Sequence, residues 1–253
     1  MSEAAAGQSP LDELVAIMRR LRDPENGCAW DREQTFETIA PYTVEEAYEV
    51  TDAIARGDLD ELKDELGDLQ LQVVYHAAIA EERGAFTIGD VIGGICAKMV
   101  RRHPHIFGDA ASSPGWEALK ATERAGRADK SAVAGIALAL PALKRAEKIQ
   151  SRAARVGFDW PDASGPRAKI DEEMAELEAA ATDAEREDEL GDLLFSVVNY
   201  ARHLGIDPET ALRSSTSRFE TRFRRVEEIA DRPLKDMNID ALEALWQEAK
   251  RSL

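Results

Sequence analysis

Apolar side chains recur along this 253-residue chain at helical intervals. Leu11, Leu14, Val15, Met18 and Leu21 stand at i, i+3, i+4, i+7 and i+10, which places them on one face of a helix. Leu62, Leu66, Leu69 and Val73 repeat the interval, and so do Leu190, Leu194 and Val197. No stretch alternates apolar and polar positions with β-branched residues, the mark of a half-buried strand. The pattern therefore predicts an all-α fold. Breaks are expected at 24–27, Pro41, 56–58, Gly84, Pro104, 114–115, Pro141, 161–166, 205–208 and Pro233, where proline, glycine or small polar residues interrupt the helical rhythm.

The pattern also repeats itself. Asp64-Glu65-Leu66-Gly67-Asp68-Leu69 returns residue for residue as Asp188-Glu189-Leu190-Gly191-Asp192-Leu193, and Val73-Val74 returns as Val197-Val198. Upstream, Glu45-Glu46-x-x-Glu49 matches Glu172-Glu173-x-x-Glu176. Downstream, Lys98-x-x-x-Arg102 matches Arg218-x-x-x-Arg222. The four tryptophans pair off in the same order: Trp30 with Trp160, and Trp116-x-x-x-Lys120 with Trp246-x-x-x-Lys250. Five features in one order, twice, indicate an internal duplication. The expected organisation is a domain at 10–124, a linker at 125–134 within the small and charged run ATERAGRADKSAVA, and a second domain at 135–253. Each domain would be a helical bundle.

Composition narrows the function. Against 32 basic residues stand 49 acidic ones, a formal charge of −17. A chain this negative repels nucleic-acid phosphates unless a basic face is concentrated somewhere, so no nucleic-acid partner is expected. No apolar run approaches the roughly 18–20 residues of a membrane helix, and the start lacks the basic and apolar regions of a secretory signal. Two cysteines, Cys28 and Cys96, make neither a C-x-x-C pair nor a disulfide framework, which suits the cytoplasm. The acidity still needs a purpose.

Helical spacing supplies one. Glu173 and Glu176 project together, with Lys169 one turn earlier on the same face, and Glu189 and Asp192 form a second pair on the next helix. The connection at 181–183 is short enough to bring that helix back antiparallel. Four carboxylates would then converge, an arrangement that is unfavourable unless a cation neutralises it or some take up protons. Oxygen-only ligands suit Mg²⁺, with Mn²⁺ as the alternative. Glu46, Glu49, Glu65 and Asp68 repeat the set in the first half. Gly67 and Gly191 sit mid-helix between ligands, where glycine costs about 1 kcal/mol relative to alanine. Close approach of another backbone or of a ligand is the expected reason.

The pattern E-E-x-x-E…E-x-x-D, with Leu-Gly inside the last pair, resembles the all-α nucleoside triphosphate pyrophosphohydrolases, and the tandem form resembles the MazG family. LRDPENGCAWDREQTF (21–36), RRHPHIFGD (101–109), KIQSRAARVGFDW (148–160) and ARHLG (201–205) extend the likeness over most of the chain. The resemblance implies an enzyme that cleaves a nucleoside triphosphate to the monophosphate and pyrophosphate with Mg²⁺. It also implies a homodimer of helical domains and a role in cleaning the nucleotide pool. Metal would be held by Glu173, Glu176, Glu189 and Asp192. Lys169, Arg218, Arg222 and Trp246 would contact substrate, with Lys169, Arg222, Glu172 and Glu173 in the catalytic set. Glu172 is left with two roles, orienting the attacking water or binding the sugar.

Plainer readings stand beside these. Arg218 and Arg222 are equally placed for surface pairs with Glu227 and Glu228, and Trp246 for a core position beside Leu242 and Leu245. Trp30, Trp160, His103 and His105 read as structural. The first half has Tyr42 where the second has Lys169, so it is expected to bind metal but turn substrate over more slowly. A related dUTP or phosphoribosyl-ATP pyrophosphohydrolase, or a non-catalytic acidic helical adaptor, are the competing functions. A di-iron bundle is disfavoured, because no Glu-x-x-His pair is present.

Overall fold

The computed structural model describes residues 9–108 and 129–252, and these are helical without a strand. The chain divides into two compact units between Glu123 and Arg124. Trp116, Lys120, the break at 114–115 and residues 125–128 of the expected linker lie outside the described residues.

In the first unit the helices are α1 (Pro10–Leu21), α2 (Ala29–Glu33), α3 (Phe36–Arg56), α4 (Leu59–Glu82), α5 (Ile88–Arg102) and the short α6 (Pro104–Phe107). Helices α3 and α4 form the main hairpin, and α1 packs along α4. The hairpin turn is written in the chain: Gly57 takes a left-handed φ of 72° to end α3, and the Asp58 side chain accepts from the Glu61 amide to start α4. Thr35 and Thr87 cap α3 and α5 in the same way. The core is Met18 of α1 and Ile39 of α3 against Val74, Tyr75, Ala78 and Ile79 of α4.

The second unit repeats this plan with α7 (Ala142–Ala154), α8 (Ser164–Ala179), α9 (Asp183–His203) and α10 (Pro208–Ile229), followed by a 3₁₀ turn at Leu234–Asp236 and α11 (Ile239–Ser252). Helices α8 and α9 make the hairpin, α7 lies against α9 and α10, and α11 packs on α10. Thr182 and Glu185 form a capping box at the start of α9, so the short connection does reverse the chain.

One expectation needs correction and another narrows. Pro41 does not break a helix: α3 runs through it. It lies in the second turn, so only one ladder hydrogen bond is lost, and the surrounding contacts outweigh that. On α4 and α9 part of each apolar stripe is open in the single chain. Leu66, Val73, Leu190, Leu194 and Val197 are exposed in the single chain, while the buried face of α4 is the one carrying Val74, Tyr75 and Ala78. Helix α4 turns that second face to α1, which leaves Leu66 and Val73 outside the core. A Cβ added at Gly67 or Gly191 meets nothing within 4 Å, so among the described residues no other backbone makes the close approach, which leaves a ligand as the expected reason. Among the described residues no helix is long and apolar enough to cross a membrane.

Candidate active site

Each helical hairpin gathers carboxylates at one level. In the second unit Glu173 and Glu176 of α8 and Glu189 of α9 each bring an oxygen within 4.8 Å of the others, and in the first unit Glu46 and Glu49 of α3 and Glu65 of α4 do the same. The fourth predicted ligand, Asp192 or Asp68, is not among these converging oxygens. Asp192 follows Glu189 by one turn on α9, and Asp68 is close enough to raise the proton affinity of Glu46 and Glu65 by its charge. Three of four predicted ligands therefore converge in each half.

The halves differ in what neutralises them. Lys169 Nζ donates to Glu172 at 2.7 Å and to Glu173 at 2.7 Å, and Glu173 itself is buried. These two bonds, the one to Glu172 foremost, push the lysine pKa up, so it stays a cation. Glu176, although exposed, is pushed up by loss of water around it and by the charges of Glu173 and Glu189. In the first unit Tyr42, exposed, holds the repeat position, and no lysine or arginine is paired with the triad among the described residues. There Glu46 is raised by burial first, then by Asp68 and Glu49, and Glu65 is raised by desolvation, Glu49 and Asp68. A neutral donor takes the place of lysine: Gln72 Nε2 reaches Glu46 Oε1 at 3.4 Å. Nothing in the motif spacing distinguishes Gln72, whose repeat position holds the buried Ser196.

The donor set fits a hard divalent ion. All the ligand atoms are carboxylate oxygens, and loss of water followed by mutual repulsion raises the proton affinity of Glu46, Glu65 and Glu176, as expected where positive charge is wanting. Glu172 sits beside the triad through Lys169 and remains exposed.

The predicted substrate contacts on α10 and α11 are placed less closely. Arg218 is exposed and Arg222 partly buried, and neither makes an ion pair among the described residues, so the expected surface pairing with Glu227 and Glu228 is not formed. Arg225, not Arg222, pairs with Glu228. Trp246 packs its ring on Phe219 with centroids 5.2 Å apart, and Phe219 stacks on Phe223. Trp246 thus stands with the arginine-bearing helix. His103 bonds through Nδ1 to the Met99 carbonyl at 2.7 Å, and its ring lies tilted on that of His105 with centroids 5.8 Å apart.

Comparison with known proteins places these helices in a family. Residues 34–107 match the MazG nucleotide pyrophosphohydrolase domain, and residues 141–218 match the phosphoribosyl-ATP pyrophosphohydrolase domain. Both matched spans contain a complete set of four predicted ligands. The chain is 51% identical over 255 residues to the nucleoside triphosphate pyrophosphohydrolase of Escherichia coli K12, covering 95% of this chain and 97% of that one. It is 49% identical over 247 residues to the nucleoside triphosphate pyrophosphohydrolase/pyrophosphatase MazG of Thermotoga maritima, covering 94% and 95%. Against the nucleoside triphosphate pyrophosphohydrolase of Mycolicibacterium smegmatis it is 30% identical over 253 residues, covering 96% and 71%. With its duplicated carboxylate hairpins and this likeness over nearly its whole length, the chain belongs to the MazG family of nucleotide pyrophosphohydrolases.

Proposed function

We propose that the chain hydrolyses nucleoside triphosphates to the monophosphate and pyrophosphate, by water attack at the α-phosphorus, and that the second unit is its principal site. The observation that carries this is the buried Glu173 in the triad with Glu176 and Glu189, held by a lysine that also bonds Glu172. Mg²⁺, with Mn²⁺ as the alternative, would be held by Glu173, Glu176, Glu189 and Asp192, and would neutralise phosphate oxygens and acidify the attacking water. Lys169 fixes Glu173 and presents its remaining positive charge toward the phosphates. Glu172, joined to the same ammonium, orients the water or a sugar hydroxyl. Arg218 and Arg222, four residues apart and free of ion pairs among the described residues, supply planar donors for phosphate oxygens. Trp246 contacts the substrate at that arginine end.

The likeness to relatives named for nucleoside triphosphates supports the substrate class. The match of residues 141–218 to the phosphoribosyl-ATP model favours including that nucleotide as a second candidate substrate. The exposed apolar residues Leu66, Val73, Leu190, Leu194 and Val197 support a homodimer, because each lies on a ligand-bearing helix with no cover from its own chain. The free cysteines Cys28 and Cys96, both exposed, agree with a cytoplasmic enzyme.

The test is a panel of nucleotides incubated with Mg²⁺ and scored for products. Monophosphate plus pyrophosphate is expected. Release of orthophosphate would refute attack at the α-phosphorus, and no turnover of any triphosphate would refute the reaction.

A further inference from the structure

The two triads are alike in their carboxylates and unlike in what already sits on them. In the second unit the Lys169 ammonium is bonded to Glu173, so a positive charge stands at the triad before any ion arrives. Like charges that share a carboxylate oppose each other, and an incoming cation must displace the ammonium or bind beside it. The first unit sets no such obstacle. Its two triad-bearing helices, α3 and α4, carry one arginine and one lysine between them, Arg56 and Lys63. Arg56 pairs with Asp52 and Glu61, and Lys63 with Asp64, so both are engaged outside the triad.

A second feature marks the first triad as a place for a ligand. Gln72 follows Glu65 by seven residues and Asp68 by four, so it continues the carboxylate face of α4. It is 7% exposed, and its Nε2 donates to Glu46 Oε1 at 3.4 Å. An ionised carboxylate only accepts, so the amide must present its N–H there and keep its oxygen on the other side. That oxygen, Oε1, is buried with no partner among the described residues. A stranded acceptor is destabilising, and the single bond gained in exchange is long. An apolar side chain of the same length would fill the position without that cost. Glutamine there makes sense beside a ligand that brings the missing donor.

A hydrated divalent ion is such a ligand. Mg²⁺ keeps several of its waters when carboxylates bind it, and a partner that fixes such an outer shell is worth a large part of the affinity. The terminal torsion of glutamine is broad, so the amide can turn Oε1 toward the triad while the rest of the side chain stays in place. The second unit lacks this device: Ser196 holds the repeat position, and the buried carboxylate is held by lysine instead.

We propose that the first unit is a resident metal site, which holds a divalent ion in the absence of nucleotide, with Gln72 positioning Glu46 and accepting from a water on that ion. The second unit, its ammonium already on Glu173, takes metal chiefly together with the triphosphate, whose negative charge compensates both cations. The inference rests on the reading of the carboxylate triads as divalent-ion sites, and adds the order in which the two copies fill. An ion held between α3 and α4 stabilises the first unit by mass action whether or not that unit turns over substrate.

The test uses the full-length chain and Mn²⁺, with the free ion followed by electron paramagnetic resonance. Wild type, Glu46→Gln, Glu173→Gln, Gln72→Met and Lys169→Met are titrated without nucleotide, then with a non-hydrolysable nucleoside triphosphate analogue. Each is also melted without metal. In the nucleotide-free titration Glu46→Gln should weaken the tightest site by about 10-fold or more, and Glu173→Gln should leave it within about twofold. Gln72→Met should weaken the same site by about 10-fold without lowering the metal-free melting temperature, since the group removed was unsatisfied. Lys169→Met should tighten nucleotide-free binding at the second site by about 10-fold. The analogue should add a Mn²⁺ to wild type that Glu173→Gln lacks. A nucleotide-free site that depends on Glu173 rather than Glu46 would overturn the resident site. Gln72→Met affinity within about twofold of wild type, or a loss matched by a lower metal-free melting temperature, would overturn the role of Gln72. An analogue-dependent ion without a resident one would remove this inference alone, whereas no Mn²⁺ under either condition would remove the metal of the proposed function as well.

Discussion

The two halves carry the same carboxylates on the same helical hairpins and differ in what surrounds them. In the second, Lys169 bonds Glu172 and Glu173 at 2.7 Å each. In the first, Tyr42 replaces the lysine, Gln72 makes a long bond to Glu46, and Met18 and Tyr75 fill the space behind. Ligand geometry alone therefore does not make an active site. On the proposed function, the charge that accompanies the carboxylates is what distinguishes the second copy as the principal site.

The comparison can be broken at several points. Replacing Lys169 by Met should reduce kcat/KM for a nucleoside triphosphate by about 10²-fold, equivalent to about 2.7 kcal/mol of transition-state stabilisation, while the variant still melts later when Mg²⁺ is added. A loss under threefold would remove the main distinction between the halves. The converse change, Tyr42→Lys, should tighten nucleotide binding at the first site by about 10-fold as measured by calorimetry on a Glu173→Gln background.

Smaller effects concern stability. Glu46 has its proton affinity raised by burial, then by Asp68 and Glu49. A carboxyl raised on folding contributes stability below its unfolded pKa, and that contribution is lost as pH rises through the folded value. The metal-free protein should therefore gain stability as pH falls from 7 toward 4.5 through this group, and Mg²⁺ at pH 7 should recover it. Glu46→Gln should raise the metal-free stability at pH 7 by about 0.5 kcal/mol, with the gain vanishing toward pH 4. Asp159 has the opposite sign. Its carboxyl is held low by the hydrogen bond from Arg202, then by His203, so its contribution is present at neutral pH and lost as pH falls through the lowered value. Asp159→Asn should cost about 1 kcal/mol at pH 7 and little at pH 3. Thermal melts across pH, with and without Mg²⁺, check both signs.

Much of this was written in the chain. The capping pairs at Thr182 and Glu185 and the two-residue turn at Gly57-Asp58 are local chemistry, so the hairpins and the level of the carboxylates follow from spacing. The Lys169 and Tyr42 difference is visible once the repeat is aligned. Pro41 misleads because one missing ladder bond near a helix start is outweighed by the packing of a 21-residue helix. Leu66, Val73 and Leu190 have core spacing but no cover, since a single chain's sequence does not say which of two apolar faces its own helices will take.

The most direct measurement sets Glu173→Gln against Glu46→Gln in one assay of monophosphate and pyrophosphate release with Mg²⁺, after both variants are shown to be folded. Glu173→Gln should lower kcat by about 10²-fold or more, and Glu46→Gln by no more than about twofold. Equal losses from the two substitutions would contradict the assignment of the second half as the principal site.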